Sequence, residues 1–283
     1  LSSFNKNFVK PIERELNENT TEVLRHLIFP FVLRRKKEQV ATDLPPKNEI
    51  TIFAEMLPKQ RTFYEIIRET YRGKVVKSIN EEGIEKSRFQ ILEGLLRLRQ
   101  ICCHPELVDK SMCSDSGKFR LIEELIEDVV SEGHRVLVFS QFVKALELFQ
   151  KRIREKNITS EILTGATKDR QAVVERFQKP NGASVFFISL KAGGTGLNLT
   201  SADYVIHVDP WWNPSAENQA SDRAYRIGQT KQVFVYKVIT KDSIEEQVLK
   251  LQEKKRNLTD SVIQTETSFF KKLTHDDILE LFK

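Results

Sequence analysis

Val185-Phe-Phe-Ile-Ser-Leu-Lys-Ala-Gly-Gly-Thr-Gly196 is the stretch that decides the fold. Its first four residues are apolar without alternation, so a strand built from them has no face for water. Its last four are rich in glycine, so the backbone can turn sharply as the strand ends. The same design recurs around it. Val136-Leu-Val-Phe-Ser140, Tyr204-Val-Ile-His207 and Val233-Phe-Val-Tyr-Lys-Val238 read as further strands, with Ile162-Leu163 as a shorter one. Between them apolar residues repeat at helical spacing, as in Leu121, Ile122, Leu125, Ile126 and Val129, and again in Val173, Val174 and Phe177. Strands apolar on both faces that alternate with helices predict an α/β fold, with a parallel sheet covered by helices on both sides.

Outward from that core the pattern is helical. Lys59 to Cys103 carries Phe63, Ile66 and Ile67, then Ile91, Leu92, Leu95, Leu96 and Leu98, on helical faces, and His104-Pro105 closes it. Residues 1–50 read as helix with two breaks, ended by Leu44-Pro45-Pro46, and Ile50 to Phe53 reads as a short strand. Leu273 to Phe282 reads as a short amphipathic helix. The chain begins with Leu1 and without strand, cap or tail character, which we read as a piece beginning inside a larger protein.

Composition narrows the class. Forty-five Lys and Arg against 40 Asp and Glu leave a net charge of +5, which permits a polyanionic partner without demanding one. Three cysteines, an odd number, speak for a reducing compartment and an intracellular protein. No apolar run approaches the roughly 20 residues that span a bilayer. Cys102, Cys103, His104 and Cys113 do not have the spacing of a zinc site, and we expect no metal ligands there.

Ligands of an open parallel sheet bind beyond the carboxyl ends of its strands, so the loops there hold the chemistry. The glycine cluster at 193–196, with Lys191 and Thr195 beside it, suits either an anion or a tight turn. Asp209-Pro-Trp-Trp-Asn-Pro214 holds both tryptophans of the chain, and each suits either core packing or stacking on a base. In Gln219-Ala-Ser-Asp-Arg-Ala-Tyr-Arg-Ile-Gly-Gln229, a helix would set Gln219, Arg223 and Arg226 on one face. Two fixed guanidiniums on one ridge suit a polyphosphate or a transferring phosphoryl group, where the bland alternative is a solvated ionic face.

Taken together and in order, these stretches resemble the motifs of the Swi/Snf family of helicase-like ATPases, in helicase superfamily two. Gln219 to Gln229 resembles its motif VI, Ala192 to Leu199 its motif V, and Val136 to Phe142 its motif IV. Trp212-Asn-Pro214 matches its W-N-P, and Gly165, Thr167, Arg170 and Phe177 fit its L-x-G-x-T block. Pro30-Phe-Val-Leu-Arg-Arg-Lys-Lys37, Leu44-Pro-Pro-Lys47, Leu98-Arg-Gln-Ile-Cys-Cys-His-Pro105 and Ser116-Gly-Lys118 complete the match. The compact insertion and the ending are similar to prokaryotic members.

The resemblance implies a two-lobed motor of which this chain is the C-terminal RecA-like lobe. It places 1–48 as the end of the first lobe and the joining segment, 49–113 as a helical insertion, 114–256 as the RecA-like domain and 257–283 as a helical brace. Arg223 and Arg226 are implied as arginine fingers, with Gln219, Gly194, Thr195 and Gly196 near the nucleotide. Ser140, Gln141, Thr167, Lys191 and Trp212 are the implied contacts to duplex DNA. The implied cofactor is ATP with Mg2+, held mainly by the absent first lobe. The chain has neither that lobe's P-loop nor its Asp-Glu box: Phe119, not Ser or Thr, follows Ser116-Gly-Lys118. Alone it should therefore be inactive. We expect a monomer, cytoplasmic if prokaryotic and nuclear if eukaryotic. Two other classes stay open: a lobe of an RNA helicase, and a non-catalytic nucleotide-binding module using Ala192 to Gly196.

Overall fold

The computed structural model describes residues 4–9, 11, 18–28, 44–111, 115–192, 196–211, 214–256 and 275–282. The chain divides into two compact units, Leu1–Asp43 and Leu44–Lys283. In the first, a helical turn Asn5–Val9 precedes helix α1, Glu18–Ile28. Phe31 and the basic run Arg34 to Lys37 lie outside the described residues.

The second unit holds one six-stranded sheet in the order β1-β6-β5-β2-β4-β3, parallel at every pairing. The strands are β1 Lys47–Ala54, β2 Val136–Ser140, β3 Ser160–Leu163, β4 Val185–Ser189, β5 Tyr204–His207 and β6 Val233–Thr240. Every residue of β2 and of β4 is buried, as strands without alternation must be when helices cover both sides. Successive side chains point to opposite faces. Val136 and Val138 pack with Ile122 and Ile126 of helix α4 (Gly117–Ser131) and with Leu146 and Phe149 of helix α5 (Val143–Glu155). Leu137 and Phe139 pack instead with Val173, Val174 and Phe177 of helix α6 (Arg170–Gln178).

A third core lies away from the sheet. Helices α2 (Pro58–Glu82) and α3 (Ile84–Cys103) form a hairpin that turns at Gly83, whose φ is +79°. Phe63, Tyr71, Val75, Ile91, Leu95 and Leu98 of the hairpin share one cluster with Ile244 and Val248 of helix α8 (Ile244–Arg256). Ile278, Leu281 and Phe282, from the end of the chain around helix α9 (His275–Leu281), complete it. Gly94 lets this packing close, because a Cβ there would lie 2.9 Å from the Tyr71 ring and 3.0 Å from that of Phe282.

Two expectations need correction. The strand expected at Ile50 to Phe53 runs from Lys47 to Ala54, and it is not part of a helical insertion. It forms the edge of the main sheet and pairs with β6 over all eight of its residues. A boundary between residues 48 and 49 therefore falls inside a strand, and the compact division comes at 43/44.

Candidate functional site at the carboxyl edge of the sheet

Because every pairing is parallel, the loops after β2, β3, β4 and β5 emerge along one edge. Two sets of residues gather there. The first joins the loop after β4 to the arginine segment. Helix α7 covers Pro214–Ser221 and stops before both arginines. Short hydrogen bonds carry the chain onward as turns: Arg223 N–H to Ala220 O (3.1 Å), Ala224 N–H to Ser221 O (3.1 Å) and Gln229 N–H to Arg226 O (2.9 Å). Gly228, at φ +101°, completes the reversal in a conformation that side chains disfavour. The single helical ridge for Gln219, Arg223 and Arg226 is thus corrected: Gln219 is on the helix and exposed, and the arginines sit on the turn after it.

The turn still brings the two guanidiniums together. Both arginines sit on this one turn; burial, and next the charge of Arg226, lower the pKa of Arg223, against the raising effect of Asp222. Arg223 is half-buried, with a buried Nε that has no hydrogen-bond partner among the described residues. Arg226 is exposed, its Nη1 3.5 Å from the carbonyls of both Gly196 and Leu197. Leu199 N–H donates to Arg223 O at 3.0 Å, which ties the loop to the turn. Gln229 is the brace: buried, its Nε2 donates to Thr200 O (3.2 Å), Ala202 O (2.9 Å) and Ala224 O (3.2 Å). Gly196 is exposed at φ +28°, while Gly194 and Thr195 lie outside the described residues.

The second set surrounds Asp209, which is fully buried at the end of β5. Ser140 Oγ donates to its Oδ1, and Gln141 N–H approaches the two carboxylate oxygens at 3.3 and 3.4 Å. Burial raises the Asp209 pKa, against the lowering effect of Arg99. Arg99 of α3 is buried too, its Nη2 3.6 Å from Asp209 Oδ2. Ser140, expected as a DNA contact, is 0% exposed, and its hydroxyl donates to Asp209 and accepts the N–H of Phe142. Gln141 is half-buried, and its Nε2 has no partner among the described residues. Lys191 is exposed, just after Leu190, whose N–H donates to Ser140 O at 3.0 Å. Thr167 is half-buried, its Oγ1 accepting from Thr164 N–H at 3.0 Å, and among the described residues no hydrogen bond ties it to either set. Trp212 lies outside the described residues.

The remaining motif residues are structural. Ser116 Oγ accepts the N–H of Phe119 at the start of α4. At Gly117 a Cβ would stand 1.8 Å from Glu55 O. Lys118 Nζ, buried, donates to Val208 O (2.8 Å), Val238 O (3.1 Å) and Glu245 Oε2 (2.5 Å). Ser116-Gly-Lys118 therefore locks α4 to the sheet, with the lysine ammonium occupied by two carbonyls and a carboxylate. His207 Nε2 pairs with Ser221 Oγ at 2.8 Å, and burial drives its pKa down to about 3. Cys102 and Cys103 are fully buried, and burial pushes the Cys102 thiol up to about 12. Arg99, Asp209 and Gln229 hold these two sets together, and the sequence reading passed over them. Each stood in a quoted motif, but only contacts across the fold separate them from their neighbours.

Residues 117–228 match the model of the helicase conserved C-terminal domain, and residues 1–107 match that of the SNF2-related domain. A solved C-terminal domain of the Sulfolobus solfataricus SWI2/SNF2 ATPase is 30% identical, with a TM-score of 0.68, covering 83% of this chain and 97% of that one.

The chain belongs to the Swi/Snf family.

Its sheet is the RecA-like C-terminal domain of that family's ATPases, and its relatives are ATP-dependent helicases. A putative ATP-dependent helicase/translocase of Bacillus subtilis is 38% identical over 100% of this chain and 31% of its own length. An ATP-dependent helicase of Mycoplasma pneumoniae is 36% identical over 98% of this chain and 27% of its own. The chain thus spans about a third or less of these Swi/Snf relatives. The S. solfataricus SWI2/SNF2 ATPase core solved in complex with dsDNA is 33% identical, with a TM-score of 0.71, covering 99% of this chain and 59% of that one. Among the described residues, no helix is long and apolar enough to cross a membrane.

Proposed function

We propose that this chain is the second motor lobe of an ATP-driven double-stranded-DNA translocase. The observation that carries the reading is the close pair Arg223 and Arg226 on a braced turn at the carboxyl edge, beside the Gly196 loop. Two permanent positive charges on one turn, with only Asp222 beside Arg223 to offset them among the described residues, favour a further anion, and Arg223 has a buried Nε with no hydrogen-bond partner among those residues. ATP, with its Mg2+ held mainly on the absent first lobe, is that anion. The guanidiniums then stabilise charge on the transferring phosphoryl group, as arginine fingers do. Gly194, Thr195, Gly196 and Gln219 line the nucleotide side.

Gln141, Thr167, Lys191 and Trp212 make the contacts to the duplex. Their amide, hydroxyl, ammonium and indole groups suit a sugar-phosphate track and carry no sequence information. Support for a duplex comes from the S. solfataricus core, described in complex with dsDNA. The full-length protein acts inside the cell as a monomer.

The test is ATPase activity of the full-length protein with and without duplex DNA, for wild type and Arg226→Ala. Duplex DNA should stimulate the wild type. The variant should lose about 10³-fold or more in turnover while still binding duplex. Activity indifferent to DNA, or surviving the substitution, overturns the reading, and stimulation by RNA in preference to duplex DNA replaces it with an RNA helicase.

A further inference from the structure

One buried cation is used by neither the hydrophobic core nor the arginine turn. Arg99, 2% exposed, projects from α3 of the helical hairpin into the carboxyl edge of the sheet. Its planar fork serves three acceptors on two different loops. Nη2 donates to Pro210 O at 2.5 Å and lies 3.6 Å from Asp209 Oδ2, and Nη1 donates to Gln141 Oε1 at 3.4 Å. Asp209 returns the connection, accepting from the Gln141 backbone N–H and the Ser140 hydroxyl. From the other side Glu217 of α7 accepts Trp211 N–H at 2.6 Å, so the peptide between Pro210 and Trp211 is held at both ends.

Resting on the motor reading above, we propose that Arg99 is a positioning residue that fixes the two duplex-facing loops, at Gln141 and at Pro210–Trp211, from the helical hairpin. A simple role in neutralising Asp209 needs only a positive charge. The observed arrangement uses the shape of the guanidinium: its side-chain bonds reach Gln141, 42 residues on, and Pro210, 111 residues on. An ammonium is a point donor and cannot span both loops in one plane. The hairpin is thereby wired to the DNA track through one side chain, and Gln141 is oriented at both its backbone N–H and its side-chain oxygen.

The experiment titrates duplex DNA against ATPase rate in the full-length protein for wild type, Arg99→Lys, Gln141→Ala and the double variant. Arg99→Lys keeps the charge beside Asp209. It should raise the DNA concentration for half-maximal stimulation about tenfold, with a much smaller change in kcat at saturating DNA, as loss of charge-assisted hydrogen bonds implies. Gln141→Ala should do the same. The double variant should be no worse than the worse single one, because both act through one chain of contacts. Arg99→Lys with wild-type DNA dependence, or additive effects in the double variant, overturns the proposal. Should Arg99→Lys fail to fold, Gln141→Ala decides alone, and wild-type DNA dependence there is equally fatal. A wild-type ATPase indifferent to duplex DNA instead sinks the motor reading and this proposal with it.

Discussion

Lys118 and Glu245 meet at 2.5 Å with both side chains fully buried, 127 residues apart in sequence. The lysine also holds the carbonyls of Val208 and Val238, and the carboxylate takes the N–H of Thr240 at 2.8 Å. The pair therefore closes the ends of β5 and β6 against α4 and α8. Removing one partner leaves a buried charge uncompensated. Lys118→Met or Glu245→Gln should each destabilise the protein by about 3–5 kcal/mol, while Lys118→Met with Glu245→Leu should recover much of the loss. Denaturant melts of the three variants check this, and an additive double variant would contradict it.

Arg223→Lys keeps a positive charge but loses the fork and the half-buried Nε. ATPase turnover of the full-length protein should fall at least about tenfold, with duplex affinity unchanged. Steady-state kinetics beside a duplex-binding titration make the measurement. A fully active lysine variant would reduce Arg223 to a generic surface cation.

Gln229→Leu removes the amide that holds three carbonyls around the arginine turn. The cost should be about 1–3 kcal/mol in stability, since the carbonyls stay buried and unserved. Turnover should drop while the DNA concentration for half-maximal stimulation stays put, because Gln229 braces the arginine turn and not the Gln141 and Pro210 loops.

Burial depresses His207 to about 3, so the folded state resists a proton that the unfolded chain accepts near the ordinary value of about 6.5. Between those pH values the unfolded state binds more protons, and stability falls as pH drops. His104, depressed to about 4, acts in the same direction. Asp209 and Glu217, raised by burial, act in the opposite one. His207→Gln should flatten the stability slope between pH 4 and 6 by up to about 1.4 kcal/mol per pH unit. Chemical melts at three pH values in that window read the difference.

Gly117→Ala should destabilise by about 2–4 kcal/mol, since its Cβ would collide with the backbone oxygen of Glu55. A melt within experimental error of wild type would mean that the start of α4 can shift, and a crystal structure would show the shift.

The sheet was legible because β2 and β4 each open with four apolar residues without alternation and are buried along their whole length, as a doubly covered parallel strand requires. The ridge of arginines was overread: the periodicity of Gln219, Arg223 and Arg226 fits a helix, but Gly228 and the short bonds after Ser221 turn the chain instead. The surroundings of Ser140 were hidden for a simpler reason. A hydroxyl following a strand looks the same in sequence whether it faces a phosphate or a buried carboxylate. Arg99, Asp209 and the Lys118–Glu245 pair could not be recovered from local pattern, because each is defined by a partner more than 40 residues away.

Strand β1 enters the sheet at its rim, pairing in parallel with β6 over eight residues. A pull on Lys47 directed along the strand axis loads that whole ladder of bonds in shear rather than peeling them one at a time. Strand β1 is thereby a mechanical anchor, able to carry tension along its own axis without unravelling the sheet it joins.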